Sequence, residues 1–78
     1  RAARLFATLA ERMGQQRPGS VFVPLHLSRQ EIADLVGTTI ETAIRVMSRW
    51  EKEGLVHTEK DGFSILDAAA LAAIAPPD

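Results

Sequence analysis

The sequence contains no cysteine, so it has no disulfide framework, no thiolate metal site and no cysteine nucleophile. It has no excess charge either: 9 Lys+Arg stand against 10 Asp+Glu, a formal net charge of −1. That balance excludes a globally basic, electrostatically sticky module, and a polyanionic partner must be met by local charge. No apolar run approaches the roughly 20 residues that cross a bilayer, and no signal peptide is visible. No nucleophile–base pair, phosphate-binding loop or metal-ligand cluster is present, so nothing points to an enzyme. His26 and His57 have no carboxylate or second histidine at ligand spacing and read as isolated.

What is present fits one soluble, cytoplasmic domain. The chain has 78 residues, 46% of them hydrophobic and 24% charged, which is globular composition and room for a single core. It starts at Arg1 inside a helical pattern and without an initiator Met, as expected of a fragment whose partner domain lies N-terminal.

Leu5, Phe6, Leu9 and Met13 share one stripe of an amphipathic helix over residues 2–15 that ends near Gly14. Arg17-Pro18-Gly19-Ser20 reads as a turn. Residues 21–27 look extended, and Pro24 limits them to a short edge strand. Ser28 opens a second helix with a capping box to Glu31; Ile32, Leu35 and Val36 form its apolar face and Gly37 stops it. Thr38 and Thr39 can cap a third helix, with Thr38-x-x-Glu41 as a second capping box, running to about Glu53 before Gly54. Residues 55–59 and 63–66 read as two strands around the turn Lys60-Asp61-Gly62. Asp67 caps an alanine-rich helix near 68–75 that adds little core and is closed by Pro76-Pro77. The predicted core is Leu5, Phe6, Leu9, Phe22, Ile32, Leu35, Val46, Trp50, Leu55, Phe63 and Ile65, with Met13 and Met47 as gap fillers.

Two helices joined by a glycine-containing turn and followed by a hairpin have the spacing of a winged helix-turn-helix, a mostly α fold with a small β wing. On the third helix Ala43, Val46, Met47 and Trp50 fall on one side, and Glu41, Arg45, Ser48 and Lys52 on the other. Arginine can donate two hydrogen bonds to guanine O6 and N7, and glutamate can accept from cytosine N4. A bland alternative is a surface ion pair between Glu41 and Arg45, one turn apart. The two readings can coexist, since the glutamate can orient the arginine.

The run Leu27-Ser-Arg-Gln-Glu-Ile-Ala-Asp-Leu-Val-Gly-Thr-Thr-Ile-Glu-Thr-Ala-Ile-Arg45, followed by Glu53-Gly-Leu-Val56, resembles the DNA-binding domain of the Crp/Fnr family of bacterial transcriptional regulators. The resemblance covers nearly the whole chain. Regulators of the GntR type share Gly-Leu-Val and a hairpin, but their Gly-rich wing is missing here.

The resemblance implies sequence-specific binding of double-stranded DNA, with a recognition helix over about 39–53 in the major groove. It makes Glu41 and Arg45 the base readers, and Ser28, Arg29, Thr39 and Thr42 phosphate contacts, with Gln30 a weaker candidate. Ser48, the helix-flank Arg49 and the wing-tip Lys60 are further backbone candidates. Ile40 stands where the cyclic-AMP receptor has an arginine that reads an outer guanine, which argues against that operator; Ile44 stands where relatives have a small residue. The resemblance further implies a homodimer on a palindromic operator. It also implies an N-terminal sensor domain and dimerisation helix outside this chain, and no cofactor in this domain, the effector binding the sensor. RNA polymerase is a possible partner of the loop that holds Arg17, a residue whose plain reading is a solvated side chain. The competing function is a winged helix used for protein contact without DNA binding.

Overall fold

The computed structural model describes residues 2–74. The element order is α1 (Ala2–Met13), β1 (Gln15–Arg17), β2 (Ser20–Val23), α2 (Arg29–Val36), α3 (Ile40–Lys52), β3 (Val56–Glu59), β4 (Gly62–Ile65) and α4 (Ala68–Ile74). The strands form one antiparallel sheet in the order β1-β2-β4-β3. This is a winged helix-turn-helix: α2 and α3 form the helical pair, and β3–β4 is the wing.

The core forms where α1, α2, α3 and the sheet converge. Phe6 is fully buried and meets Trp50 and Phe63 edge-on, with ring centroids 5.9 and 5.1 Å away. Such edge-to-face pairs add about 0.5–1.5 kcal/mol to the burial of their area. Ile32, Ala33, Ala43 and Met47 fill the seam between α2 and α3. The small Ala33 and Ala43 let the two helices approach closely.

Local chemistry sets the helix ends. The Ser28 hydroxyl accepts from Glu31 N–H at 3.0 Å, and Ser28 N–H donates to the Glu31 carboxylate at 2.9 Å. That capping box holds Glu31 below its ordinary pKa of 4.5, first through the Ser28 backbone N–H and second through the hydroxyl. Gly37 is left-handed at φ 82°, and its N–H closes α2 on Ala33. Gly62 is needed for a different reason: a Cβ there would collide with the Val23 carbonyl on the neighbouring strand.

Several expectations are corrected. The polar Gln15-Gln16-Arg17 is strand β1, paired with β2 across the Pro18-Gly19 turn. Its residues are all exposed, so no hydrophobic alternation marks it. β2 lies inside the sheet rather than at its edge. Pro24 follows the last strand residue, so its missing N–H falls outside the ladder. Thr39, not Thr38, caps α3; its hydroxyl accepts from Thr42 N–H. Glu41 is therefore the second helical residue, and no capping box forms there.

Leu35 is 61% exposed rather than core. Ile32, Ala33 and Val36 set the inner face of α2, and Leu35 points about 100° from its centre. Leu5, Leu9 and Val46 pack on the core but are only partly buried, and Met13 is exposed. Val23, Leu27, Met47 and Val56 complete the core. The last helix contributes more than expected: Leu71 is 1% exposed, and Asp67 caps the helix by accepting from Ala70 N–H. The expected stop at Pro76-Pro77 lies outside the described residues. Among the described residues no helix is long and apolar enough to cross a membrane.

Candidate nucleic-acid interface

α3 is anchored by one face and open on the other. Ala43, Met47 and Trp50 are buried at 3%, 0% and 5% exposure, while Glu41, Ile44, Arg45, Ser48, Arg49 and Lys52 are exposed. These six line one shallow depression along the outer face. Arg45, Arg49 and Lys52 give it three cations against the single carboxylate of Glu41. The local charge is thus positive on a chain whose net charge is −1.

Glu41 and Arg45 lie about one turn apart, about 6 Å along the axis. No ion pair joins them, and no contact among the described residues occupies either head group. The bland ion-pair reading therefore does not hold in this structure. Both side chains are free to meet groove edges, and their N-terminal position on α3 suits entry into a major groove.

The backbone candidates gather in two places. Ser28, Arg29 and Gln30 sit at the start of α2; Thr39 and Thr42 sit at the start of α3. The exposed N–H groups and dipoles of both helix starts favour phosphate. Thr39 donates its hydroxyl proton to the Thr42 oxygen at 3.0 Å, which orders the pair. Gln30 donates its amide to Asp34 at 2.9 Å, so that donor is partly used within its own helix. Ser48 and Arg49 extend the outer face of α3, and Lys60 is exposed in the turn at the tip of the wing. Ile40 is half-buried.

Three side chains behave differently from the sequence expectation. Arg29 is not a free surface arginine. Its Nη2 donates to Thr58 Oγ1 at 3.0 Å and lies 3.6 Å from the Glu51 carboxylate. His57 is not isolated, since its Nδ1 is 3.3 Å from the same carboxylate. Sequence spacing hid this contact because it forms between α3 and β3, not within one element. Arg17 is not simply solvated: its guanidinium stacks 3.9 Å over the Phe22 ring and pairs with Glu59 at 3.7 Å. Glu59 also accepts the hydroxyl of the buried Ser64.

Ile44 is the functional candidate missing from the sequence-derived set. It is 49% exposed at the edge of the polar face and lines the same depression as Glu41, Arg45 and Ser48. The signal was its position on the outer side of the helical wheel, which an apolar residue occupies only at the cost of exposed apolar area.

Comparison with known proteins gives the family and the fold. The Crp-like helix-turn-helix domain matches residues 1–74. The nitrogen fixation regulation protein FixK of Bradyrhizobium diazoefficiens is 42% identical over 65 residues, covering 83% of this chain and 27% of that protein. A CRP-like cAMP-activated global transcriptional regulator of Mycobacterium tuberculosis is 33% identical over 72 residues, covering 92% of this chain and 32% of that protein. The crystal structure of reduced, ligand-free CprK superposes with a TM-score of 0.90 at 23% identity, covering 96% of this chain and 36% of that one, and attests the fold. The chain thus spans about a quarter to a third of the length of these relatives. Buried core, capped helix pair, wing and family match converge: the chain belongs to the Crp-like helix-turn-helix family, the DNA-binding domain of Crp/Fnr-type transcriptional regulators.

Proposed function

We propose that this domain reads a palindromic operator as one half of a homodimer, with α3 in the major groove. The observation that carries the reading is the outer face of α3, where Glu41 and Arg45 stand exposed, one turn apart and without a partner among the described residues. Arg45 donates to O6 and N7 of a guanine, and Glu41 accepts from the N4 amino group of a neighbouring cytosine. Ile44 beside them offers apolar contact to a thymine methyl, as Ile40 does further out. Ile40 cannot donate a hydrogen bond, so the outer position shows no preference for guanine.

Ser28, Arg29, Thr39 and Thr42 hold phosphates at the helix starts, with Gln30 assisting. Ser48, Arg49 and Lys60 extend the backbone track along α3 and to the wing tip. These contacts set register and affinity but carry no sequence information.

The domain acts by binding rather than chemistry and carries no cofactor of its own. The effector belongs to an N-terminal sensor domain, and the protein works in the cytoplasm. RNA polymerase is a candidate partner of the β1–β2 turn beside Arg17. A single domain binds weakly, because dimerisation supplies an effective-concentration gain of about 10²–10⁴. Protein contact without DNA is the weaker reading, since it gives the free Glu41 and Arg45 no task.

Titration of a duplex library against salt tests the proposal. The full-length protein should bind duplex with log Kd rising steeply with log salt. A protein that binds no duplex at low salt is not a DNA reader.

A further inference from the structure

We propose that Glu51 is a positioning residue for DNA binding: it holds the Arg29 guanidinium ready to clamp a phosphate. The assignment rests on the reading of Arg29 as a phosphate contact. One carboxylate on α3 here gathers groups from two other elements. Its Oε2 lies 3.6 Å from Arg29 Nη2 at the start of α2. The same oxygen accepts the Thr58 hydroxyl proton at 3.3 Å, while Thr58 Oγ1 accepts from Arg29 Nη2 at 3.0 Å. Its Oε1 lies 3.3 Å from His57 Nδ1. Glu51 thus ties the first helix of the pair and the wing strand to the end of α3.

The geometry favours positioning over simple attachment. Among the described residues, the hydrogen bond and the ion pair of Arg29 both run through Nη2. Nε and Nη1 therefore keep their donors for an incoming oxygen. The side chain is held but not hidden, at 27% exposure. A free arginine loses rotamer freedom when it clamps a phosphate, and one already held loses less. An exposed ion pair of this kind contributes little to stability by itself.

The sign of the effect separates this role from plain electrostatics. A carboxylate close to a phosphate contact repels DNA, so its removal alone should tighten binding. A positioning role predicts the opposite.

The test uses full-length protein and the duplex that the parent recovers by binding-site selection. Glu51→Ala should weaken binding about threefold or more, the scale of coupling between residues in contact. It should lower the salt slope toward that of Arg29→Ala, a loss of about 0.9 per phosphate contact. In an Arg29→Ala background, Glu51→Ala should leave affinity unchanged or raise it. Glu51→Gln and Thr58→Val, which keep side-chain volume, should weaken binding in the same direction by less, and they decide the matter if Glu51→Ala fails to fold. Tighter or unchanged binding with the parent's salt slope overturns the assignment of Glu51 alone. A parent that recovers no duplex overturns the DNA reading and this assignment with it. Equal losses with Arg29 present and absent would make Glu51 merely structural.

Discussion

On its inner side α3 presents Ala43, Met47 and Trp50 to a core that includes Phe6 and Ile32; on its outer side Glu41, Ile44 and Arg45 stand in solvent. The two sides are a few ångströms apart on one helix and answer to different physics. The inner residues are selected by volume and apolar area, which no partner is needed to reward. The outer residues bury little and add little to the packed core. Even the ion pair that Glu41 and Arg45 could have formed is left unmade. Two opposite charges one turn apart that leave each other unpaired keep their chemistry available for a partner.

That contrast predicts separable damage. The largest effect should come from the inner side. Trp50→Ala removes a side chain 5% exposed and its edge contact with Phe6. It should cost about 3–5 kcal/mol in a thermal or denaturant melt, a large part of what a small domain has. A parent-like melt would break the assignment of the inner side.

Next comes the outer side. Arg45→Ala should leave the melt within about 0.5 kcal/mol of the parent, yet cost about 1–3 kcal/mol of binding and relax preference at one guanine. Titration of duplexes differing at that base pair measures it. Arg29→Ala should weaken all sequences alike and flatten the salt slope by about 0.9 per contact, without changing which sequence is preferred.

Smaller effects sharpen the picture at α2. The capping box depresses the folded pKa of Glu31 below 4.5. Its stabilisation is therefore present above that pH and is lost as pH falls through the folded value. The gap in Tm between parent and Glu31→Gln should be constant near neutrality and should narrow below pH 4.5. A gap that widens in acid would contradict the cap. Leu35→Ala should change stability least, by less than about 0.5 kcal/mol, because Leu35 lies outside the packed face.

Legibility in the sequence followed the range of the interactions. Features written within one element were readable. The Ser28 cap, the Gly37 stop, the period of α3 and the hairpin all involve neighbours a few residues apart; the first three stand where the spacing put them, and the hairpin turn is the two residues Lys60-Asp61, with Gly62 already in β4. Features that need two elements were not. β1 is polar on both sides and becomes a strand only because β2 offers it a ladder. Arg17 looked solvated until Phe22 and Glu59 were brought beside it. Leu35 was apolar in the right period but off the face that α3 covers.

The site divides the same way. Glu41 and Arg45 were readable as a pair on the outside of one helix, and their exposure agrees with that reading. The tether of Arg29 through Thr58 and Glu51 spans 29 positions and three elements, beyond any local pattern. Ile44 was read as a departure from relatives, and its exposure beside Glu41 and Arg45 shows only where it stands.

The central claim is that the outer side of α3 reads bases while the helix starts hold phosphates. Binding-site selection with the full-length protein, run in parallel for parent, Arg45→Ala and Arg29→Ala, tests it most directly. The account predicts that Arg45→Ala loses one guanine from the selected half-site and that Arg29→Ala selects the parent's sequence at lower affinity. Selection of the parent's sequence by Arg45→Ala, with a changed sequence for Arg29→Ala, would contradict it.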